Sequence, residues 1–185
     1  CLTDHHRGKR PRFKVRIHHH LAREMTFLEV KESRRKGKTA KDRIHLPFST
    51  EDVSPEQLTE SLAAHPDIPA AELRPRMWVE FSRTTLVGID LEERITIDTD
   101  LVFRDQNGEK SLSDLAILEV KQNRRNHHSP SMKALRPRQY VELSLSKYIT
   151  GAQFLWPEIR LNRYKPNVRE IQRVTRRQEQ EIWNN

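Results

Sequence analysis

The chain has 185 residues, which fits one domain with a substantial core. Its 34 lysines and arginines exceed its 26 acidic residues, so the formal net charge is +8 and a polyanionic partner is expected. The single cysteine, Cys1, excludes an internal disulfide and favours a reducing, cytoplasmic compartment. No apolar run approaches the roughly 20 residues that a membrane-spanning helix needs, so the sequence predicts no membrane segment.

Six strands are predicted from period-two alternation and from their β-branched and aromatic residues. They lie near residues 10–18, 25–33, 39–47, 76–87, 91–104 and 114–123. In the first strand, Arg12, Lys14 and Arg16 share one face, and the residues between them are apolar. In the fifth, the same alternation predicts one polar face formed by Arg94, Thr96, Asp98 and Asp100.

Turn and helix signals connect these strands. The stretch SPEQLTESLAAH (54–65) carries the serine cap, early proline and third-position glutamine of a helix start. The residues QNG at 106–108 predict a hairpin turn. Further along, helices are predicted around 129–136 and 144–156, followed by a basic, weakly amphipathic tail.

The polar faces of the predicted strands are rich in cations. These are Arg12, Lys14, Arg16, Lys31, Lys41, Arg43, Arg83, Arg94 and Lys121. For any single strand, a solvated face over a core is the simpler interpretation, but solvated faces mix both signs and these faces have few matching acids. If the sheet closes into a barrel with its charged face inward, so much like charge is tolerable only around a bound polyanion. The pattern therefore predicts a phosphate-binding interior.

A series of short motifs, in this order, resembles a known family. The motifs are R-P-R-F-K-V-R-I, F-L-E-V-K followed by K-x-R-I, F-S-R, E-R-I-T-I-D-T-D-L, I-L-E-V-K and S-K-Y-I-T-G, between about residues 8 and 170. Together they resemble the polyphosphate polymerase domain of the vacuolar transporter chaperone (VTC) family, within the triphosphate tunnel metalloenzyme (CYTH-like) superfamily. The resemblance implies an α+β fold, an eight-stranded antiparallel β-barrel with a basic bore and flanking helices. It implies one domain over residues 1–185, with two strands supplied by sequence before Cys1.

The activity implied by the resemblance is transfer of the terminal phosphate of a nucleoside triphosphate to inorganic polyphosphate, with Mn²⁺ or Mg²⁺. One alternative is an inorganic triphosphatase or another tunnel phosphohydrolase, because one fold hosts several activities. Another is a non-catalytic module that binds polyphosphate or nucleic acid, although an aromatic content of 6% disfavours nucleic acid. Nucleotide preference, oligomeric state, and a membrane partner or fused domain in the parent protein stay open.

Site residues follow from the resemblance, position by position. It assigns catalytic phosphate contacts to Arg12, Lys14, Arg16, Lys31, Arg83, Arg94 and Lys121. It assigns further phosphate binding to Lys41, Arg43, Ser146 and Lys147, the last two on a helix that plugs the barrel. It makes Glu119 the metal carboxylate, which suffices because substrate phosphates and waters complete the shell of a hard divalent ion.

Two further acids and a histidine run have other expected roles. Glu29 is expected to orient basic neighbours, and Asp98 to form a salt bridge with Arg94 or another base of the wall. The runs His18–His20 and His127–His128 are predicted to be loop or rim histidines, since adjacent strand residues point to opposite faces.

Overall fold

The computed structural model describes residues 12–33, 39–49, 53–89, 93–138, 140, 142–159 and 162–183, with side chains described up to Thr175. The chain divides into two compact units, residues 1–75 and 76–185, and each contains one antiparallel sheet. The α+β class with antiparallel strands is therefore confirmed. The described strands form no closed barrel, so barrel closure stays a prediction, as does the assignment of both units to one domain.

The first unit consists of a three-stranded sheet and a short helix. Its elements are β1 (Arg12–His20), β2 (Met25–Ser33), β3 (Thr39–Leu46) and α1 (Pro55–Ser61), with 3₁₀ turns at Leu21–Arg23 and Ala70–Glu72. The strand order is β1-β2-β3. The predicted capping box is confirmed, because Ser54 accepts from the Gln57 backbone N–H while the Gln57 side chain accepts from the Ser54 N–H.

One face of this sheet forms the core of the first unit. Leu28 and Val30 are buried there together with Leu62 and Ile68. Partly buried neighbours complete the cluster: Phe13, Val15, Ile17, Ile44, Leu46, Leu58, Ala70 and Leu73. Burial of each large aliphatic side chain contributes about 1.5–3 kcal/mol, and a one-residue slip would turn it to the other face. This core therefore fixes which side chains form the opposite, polar face.

The second unit is built around one long strand. Its elements are β4 (Trp78–Val87), β5 (Glu93–Arg104), β6 (Glu109–Leu112), β7 (Ile117–Gln122), α2 (Pro130–Leu135), α3 (Lys147–Leu155) and α4 (Lys165–Trp183), with 3₁₀ turns at Arg136–Arg138 and Asn162–Tyr164. Strand β4 pairs with β5, and both β7 and β6 also pair with β5, at different positions along it. The helices predicted around 129–136 and 144–156 are confirmed.

A short hairpin adds a seventh strand to the six predicted. The Asp105 carboxylate accepts hydrogen bonds from the backbone N–H groups of Asn107 and Gly108, which confirms the turn predicted at 106–108. Strand β6 then pairs with the end of β5. Its four residues, EKSL, are too few to show a reliable alternation in the sequence. The predicted strand residues 10, 11, 91 and 92 lie outside the described residues.

A bulge in β5 changes the expected face pattern. Ser82 pairs with Thr99 but Glu80 pairs with Val102, so β5 holds one extra residue between these pairs. Asp100 lies in this stretch, is exposed and has a left-handed φ of 54°. The prediction that Asp100 continues the polar face is therefore wrong. The extra residue instead turns Leu101 and Phe103, both fully buried, to the same side as Asp98.

The core of the second unit lies on that side of the bulge. Leu101, Phe103 and Leu112 cluster with Ile171 of α4. Helix α3 contributes Phe154 and Leu155 to the same cluster. Among the described helices, none combines the length and the apolar character required to cross a membrane.

Candidate functional site

The polar face of the first unit carries six cations around one acid. This N-terminal basic face consists of Arg12, Lys14, Arg16, Lys31, Lys41, Arg43 and Glu29. Residues paired across antiparallel strands point to the same side, so two rows of charge cross all three strands. The first row contains three lysines, Lys14, Lys31 and Lys41, and the second is Arg16, Glu29 and Arg43. The alternation predicted for these strands is confirmed.

Glu29 is the organising group of this face. Its side chain is 2% exposed, and one carboxylate oxygen accepts from Arg16 Nε at 2.8 Å and Nη2 at 2.5 Å. The other oxygen accepts from Arg43 Nε at 3.0 Å and lies 2.7 Å from Lys41 Nζ. Burial by itself would raise the pKa of Glu29, but the hydrogen bonds from Lys41, Arg43 and Arg16 outweigh it and hold the pKa far below its usual range. The prediction that Glu29 orients basic neighbours is confirmed.

One carboxylate cannot balance the charge of the N-terminal basic face. Six cations against one acid leave a formal excess of five positive charges, and like charges that lie directly opposite on neighbouring strands repel. Burial and the charges of Arg16, Lys31 and Arg12 lower the pKa of Lys14. An anion that contacts the lysine row would relieve this repulsion.

His18 extends the same face by one position. Its Nε2 lies 3.7 Å from a Glu29 oxygen, and its side chain is 30% exposed. Burial, followed by the charge of Arg16, lowers the pKa of His18 to about 4, so the imidazole is neutral near pH 7. His18 lies within β1 and not in a loop, and the adjacent His19 points to the other face, where it contacts Thr26 Oγ1 at 3.1 Å.

The second unit presents a polar face of mixed charge. This C-terminal polar face consists of Arg83, Thr85, Arg94, Thr96, Asp98, Glu119 and Lys121. Arg83 pairs with Asp98, Thr96 lies between Thr85 and Glu119, and Arg94 pairs with Lys121. The last pair again places two cations directly opposite each other.

Asp98 joins β4 and α3 to the centre of this face. The side chain of Asp98 is 2% exposed and accepts from Arg83 Nε at 2.5 Å and from Arg83 Nη2 at 2.7 Å. Lys147, the first residue of α3, forms a second ion pair with the same carboxylate. Burial opposes ionisation, yet the hydrogen bonds from Arg83 and Lys147 lower the pKa of Asp98 and the bond to Asp98 raises the pKa of Arg83. The expected salt bridge of Asp98 is confirmed, and its partners are Arg83 and Lys147.

Comparison with known families identifies the chain. A family model described as the VTC domain matches residues 1–156, which include every predicted site residue. The chain belongs to the VTC domain family. The resemblance found in the sequence is thereby confirmed, and membership relates the function of this VTC domain to polyphosphate. No curated protein and no solved structure matches the chain.

The start of α3 in this VTC domain is held close to the sheet. Gly151 makes the close approach feasible, because a Cβ there would lie 2.5 Å from Phe103 Cδ1 and 2.6 Å from Met77 Sδ. Lys147 lies one turn earlier and reaches Asp98. Ser146 is the N-cap residue, but its side chain makes no capping hydrogen bond. Its hydroxyl is thus not used to cap the helix.

Glu119 fits a metal ion only if the ion is shared with substrate. Its side chain is 52% exposed, and Lys121 Nζ lies 3.5 Å from one of its oxygens. Within the part of the chain that the structure describes, no group of three His, Cys, Asp or Glu side chains could hold an ion. Mg²⁺ typically takes one or two carboxylates and completes its shell with waters and substrate phosphates. Glu119 fits that arrangement and does not fit a site built from protein ligands alone.

The structure thus groups the predicted site residues by unit. Lys14 and Lys31 share the N-terminal basic face with Arg12, Arg16, Lys41 and Arg43. The C-terminal polar face holds Arg83, Arg94, Glu119 and Lys121. Their contacts with phosphate, and the enclosure of both faces in one tunnel, stay predictions.

Sequence reasoning missed that Thr96 is buried and that its hydroxyl has no partner within the described part of the chain. Its position between Arg94 and Asp98 was visible in the alternation, but its burial was not.

Proposed function

We propose that this VTC domain is a metal-dependent polyphosphate polymerase that transfers the terminal phosphate of a nucleoside triphosphate to a growing polyphosphate chain. The observation that carries the proposal is the pair of charge rows on the N-terminal basic face, Lys14, Lys31 and Lys41 beside Arg16, Glu29 and Arg43. A polyanion with a charge on every repeat complements such rows, whereas a single small anion would neutralise only part of them.

Arginines and lysines of the N-terminal basic face would contact the phosphates in different ways. Arg16 and Arg43 are fixed by Glu29, so their remaining N–H groups present a defined direction to phosphate oxygens. Lysines supply point charge on flexible stems, which suits a chain that must advance through the site. This combination favours strong electrostatic binding of a phosphate chain and allows the chain to shift along the site.

Transfer requires no covalent protein intermediate. A terminal phosphate oxygen of the acceptor chain attacks the γ-phosphorus of the nucleotide, the bond from that phosphorus to the bridging oxygen breaks, and the nucleoside diphosphate leaves. Positioning and charge neutralisation supply most of the catalysis in such reactions. Arg83, Arg94 and Lys121 would hold the phosphates at the C-terminal polar face, and Ser146 and Lys147 would contact them from α3.

Mn²⁺ or Mg²⁺, bound with the phosphates, would neutralise charge on their oxygens. Glu119 would hold the ion from the protein side, because its carboxylate is half exposed on the face where Lys121 and Arg83 would hold the phosphates that share the ion.

The test is incubation of the protein with ATP and Mn²⁺, followed by gel separation of phosphate chains and quantification of ADP and free phosphate. A polymerase produces long chains and ADP and releases little free phosphate. Release of free phosphate without chains would instead indicate a triphosphatase. Tight binding of polyphosphate with neither product would leave a binding module.

A further inference from the structure

Thr96 carries the one buried side-chain polar atom without a hydrogen-bond partner among the described residues. Its side chain is 4% exposed, and Oγ1 forms no hydrogen bond with any described residue. Buried hydroxyls almost always have a partner, because burying one without compensation is unfavourable. The orphan hydroxyl therefore indicates a group that completes the site.

The surroundings of Thr96 identify the chemistry of that group. On the C-terminal polar face, Thr96 lies directly between Thr85 and Glu119, and Arg94 and Asp98 flank it along β5. Residues opposite on neighbouring strands have Cβ atoms about 4.5–5.5 Å apart. Thr96 Oγ1 has no partner among the described residues, so neither the Glu119 carboxylate, which lies 3.5 Å from Lys121 Nζ, nor Asp98, which is bonded to Arg83 and Lys147, accepts from it.

Cations surround this position on the same face. Arg83 pairs with Asp98 on one side of Thr96, and Arg94 pairs with Lys121 on the other. A group bound over Thr96 can use its hydroxyl as a donor, and it lies near three cations. A phosphate oxygen accepts such a bond and carries the negative charge that suits the cations, whereas a cationic group would be repelled.

We propose that the hydroxyl of Thr96 donates a hydrogen bond to a phosphate oxygen of the bound chain, at the floor of the C-terminal polar face between Arg83, Arg94 and Lys121. This inference rests on the proposed function, since it specifies one contact of the same phosphate-binding site. Thr96 is thus a substrate-binding residue, although its buried position would otherwise suggest a purely structural one.

The structure also predicts what Thr96 does in the absence of ligand. Because its hydroxyl has no protein partner, removal of that oxygen leaves no other group unsatisfied. Valine has the shape of threonine and the β-branching that suits a strand. Thr96→Val should therefore leave the thermal stability of the free protein unchanged or raised.

The test is calorimetric titration of the full chain with tripolyphosphate, once with EDTA and once with Mn²⁺. Thr96→Val should bind about tenfold more weakly in both conditions, since a hydrogen bond to a charged group is lost, and Thr96→Ser should bind within about twofold of the unsubstituted chain. The matched control is Thr84→Val, because Thr84 is exposed and lies on the opposite face of the same sheet. It should bind normally.

Each contrary result has a distinct meaning. Unchanged affinity in Thr96→Val, together with a loss in Arg94→Gln, would overturn the contact and leave the proposed function intact. A lower unfolding temperature of free Thr96→Val with unchanged affinity would show that the hydroxyl binds a structural water, and a loss only with Mn²⁺ would show that it serves the ion. If the unsubstituted chain bound no tripolyphosphate, both the contact and the proposed function would fail.

Discussion

Arg16 and Glu29 lie directly opposite each other in the β1–β2 ladder, and two guanidinium nitrogens of Arg16 contact one buried carboxylate oxygen of Glu29. Arg43 makes the equivalent contacts with the other oxygen from β3. One acid therefore aligns cations from both neighbouring strands. In the absence of phosphate, Glu29 is the counter-charge that makes the N-terminal basic face compatible with folding.

Glu29→Gln should destabilise the free protein and make its stability depend on an anion. The substitution leaves Arg16, Lys41 and Arg43 adjacent without a counter-charge. Because the two arginines are half exposed, we expect the free energy of unfolding to fall by about 2 kcal/mol, which is less than the cost of breaking a fully buried pair. Tripolyphosphate should then raise the unfolding temperature more in Glu29→Gln than in the unsubstituted chain. The control is Glu60→Gln on the exposed side of α1. An equal ligand-induced shift in both variants would contradict the counter-charge role.

The double variant Arg12→Ala/Arg16→Ala should lose triphosphate affinity. Two cations of one face are removed, so binding should weaken by at least about tenfold, and its dependence on salt concentration should become shallower because fewer charges are neutralised. Titrations with tripolyphosphate at several salt concentrations measure both effects. Arg74→Ala is the matched control, since Arg74 is exposed and its side chain bonds to the backbone of Ala71 and Leu73. If the double variant binds as well as the control, the N-terminal basic face does not bind phosphate.

Strand alternation explains why much of both faces could be predicted. Charged residues spaced by two in β1, β2 and β3 can share a face only in a strand, and the apolar residues between them require a core on the other side. The grouping of Lys14, Lys31 and Lys41 follows from that pattern together with the pairing register.

Long-range and irregular features could not be predicted in the same way. The bulge at Asp100 could not be predicted because no glycine marks the positive φ in the sequence. The bulge nevertheless determines that Phe103 faces the core beneath α3. The contact of Lys147 with Asp98 joins residues far apart in sequence, and only the close approach at Gly151 brings them together. The burial of Thr96 depends on both neighbouring strands, so its spacing alone did not distinguish it from an exposed threonine.

Triphosphate binding should be coupled to protonation of His18. Arg16 and His20 on β1, Glu29 on β2 and Lys41 on β3 surround the ring. Burial and the charges of Arg16, His20 and Lys41 outweigh the opposing charge of Glu29 and lower the pKa of His18 to about 4. Because this pKa is below the reference value of about 6.5, folding favours the neutral ring. The corresponding contribution to stability is fully present above about pH 6.5 and is lost as the pH falls toward 4. A bound phosphate would raise the pKa of His18, so binding should take up a proton in that window.

His18→Gln tests this coupling by removing the titrating ring. Between about pH 7 and pH 5, the affinity of the unsubstituted chain for tripolyphosphate should increase relative to His18→Gln by about fivefold. His19→Gln is the control, because His19 contacts Thr26 on the opposite face. Parallel pH profiles for the unsubstituted chain and His18→Gln would rule out the coupling.

Glu119→Ala should abolish turnover and retain phosphate binding. The variant removes the proposed protein ligand of the metal but leaves the cations of both faces in place, and Glu119 is exposed enough that folding should be little affected. Chain synthesis from ATP with Mn²⁺ and titration with tripolyphosphate under EDTA separate the two properties. Glu158→Ala, at an exposed position after α3, is the control. Normal turnover in Glu119→Ala would refute the metal assignment.

Gly151→Ala should move α3 away from the sheet and weaken the contact of Lys147 with Asp98. A Cβ at this position would lie 2.5 Å from a buried Phe103 ring carbon, closer than real contacts allow, so the helix or the ring must shift. Overpacking of this kind costs about 1–3 kcal/mol, and the better helix propensity of alanine returns up to about 1 kcal/mol. We therefore expect a net loss of about 1–2 kcal/mol in the free energy of unfolding.

Gly108→Ala provides the matched control, since a Cβ there would meet nothing within 4 Å. Chemical denaturation should show Gly108→Ala to be close to the unsubstituted chain and Gly151→Ala to be less stable, and the affinity for tripolyphosphate should fall only in Gly151→Ala because Lys147 is displaced. If Gly151→Ala is as stable as Gly108→Ala, the close packing of α3 on Phe103 is wrong. If it is destabilised but binds normally, α3 does not contribute to the phosphate site through Lys147.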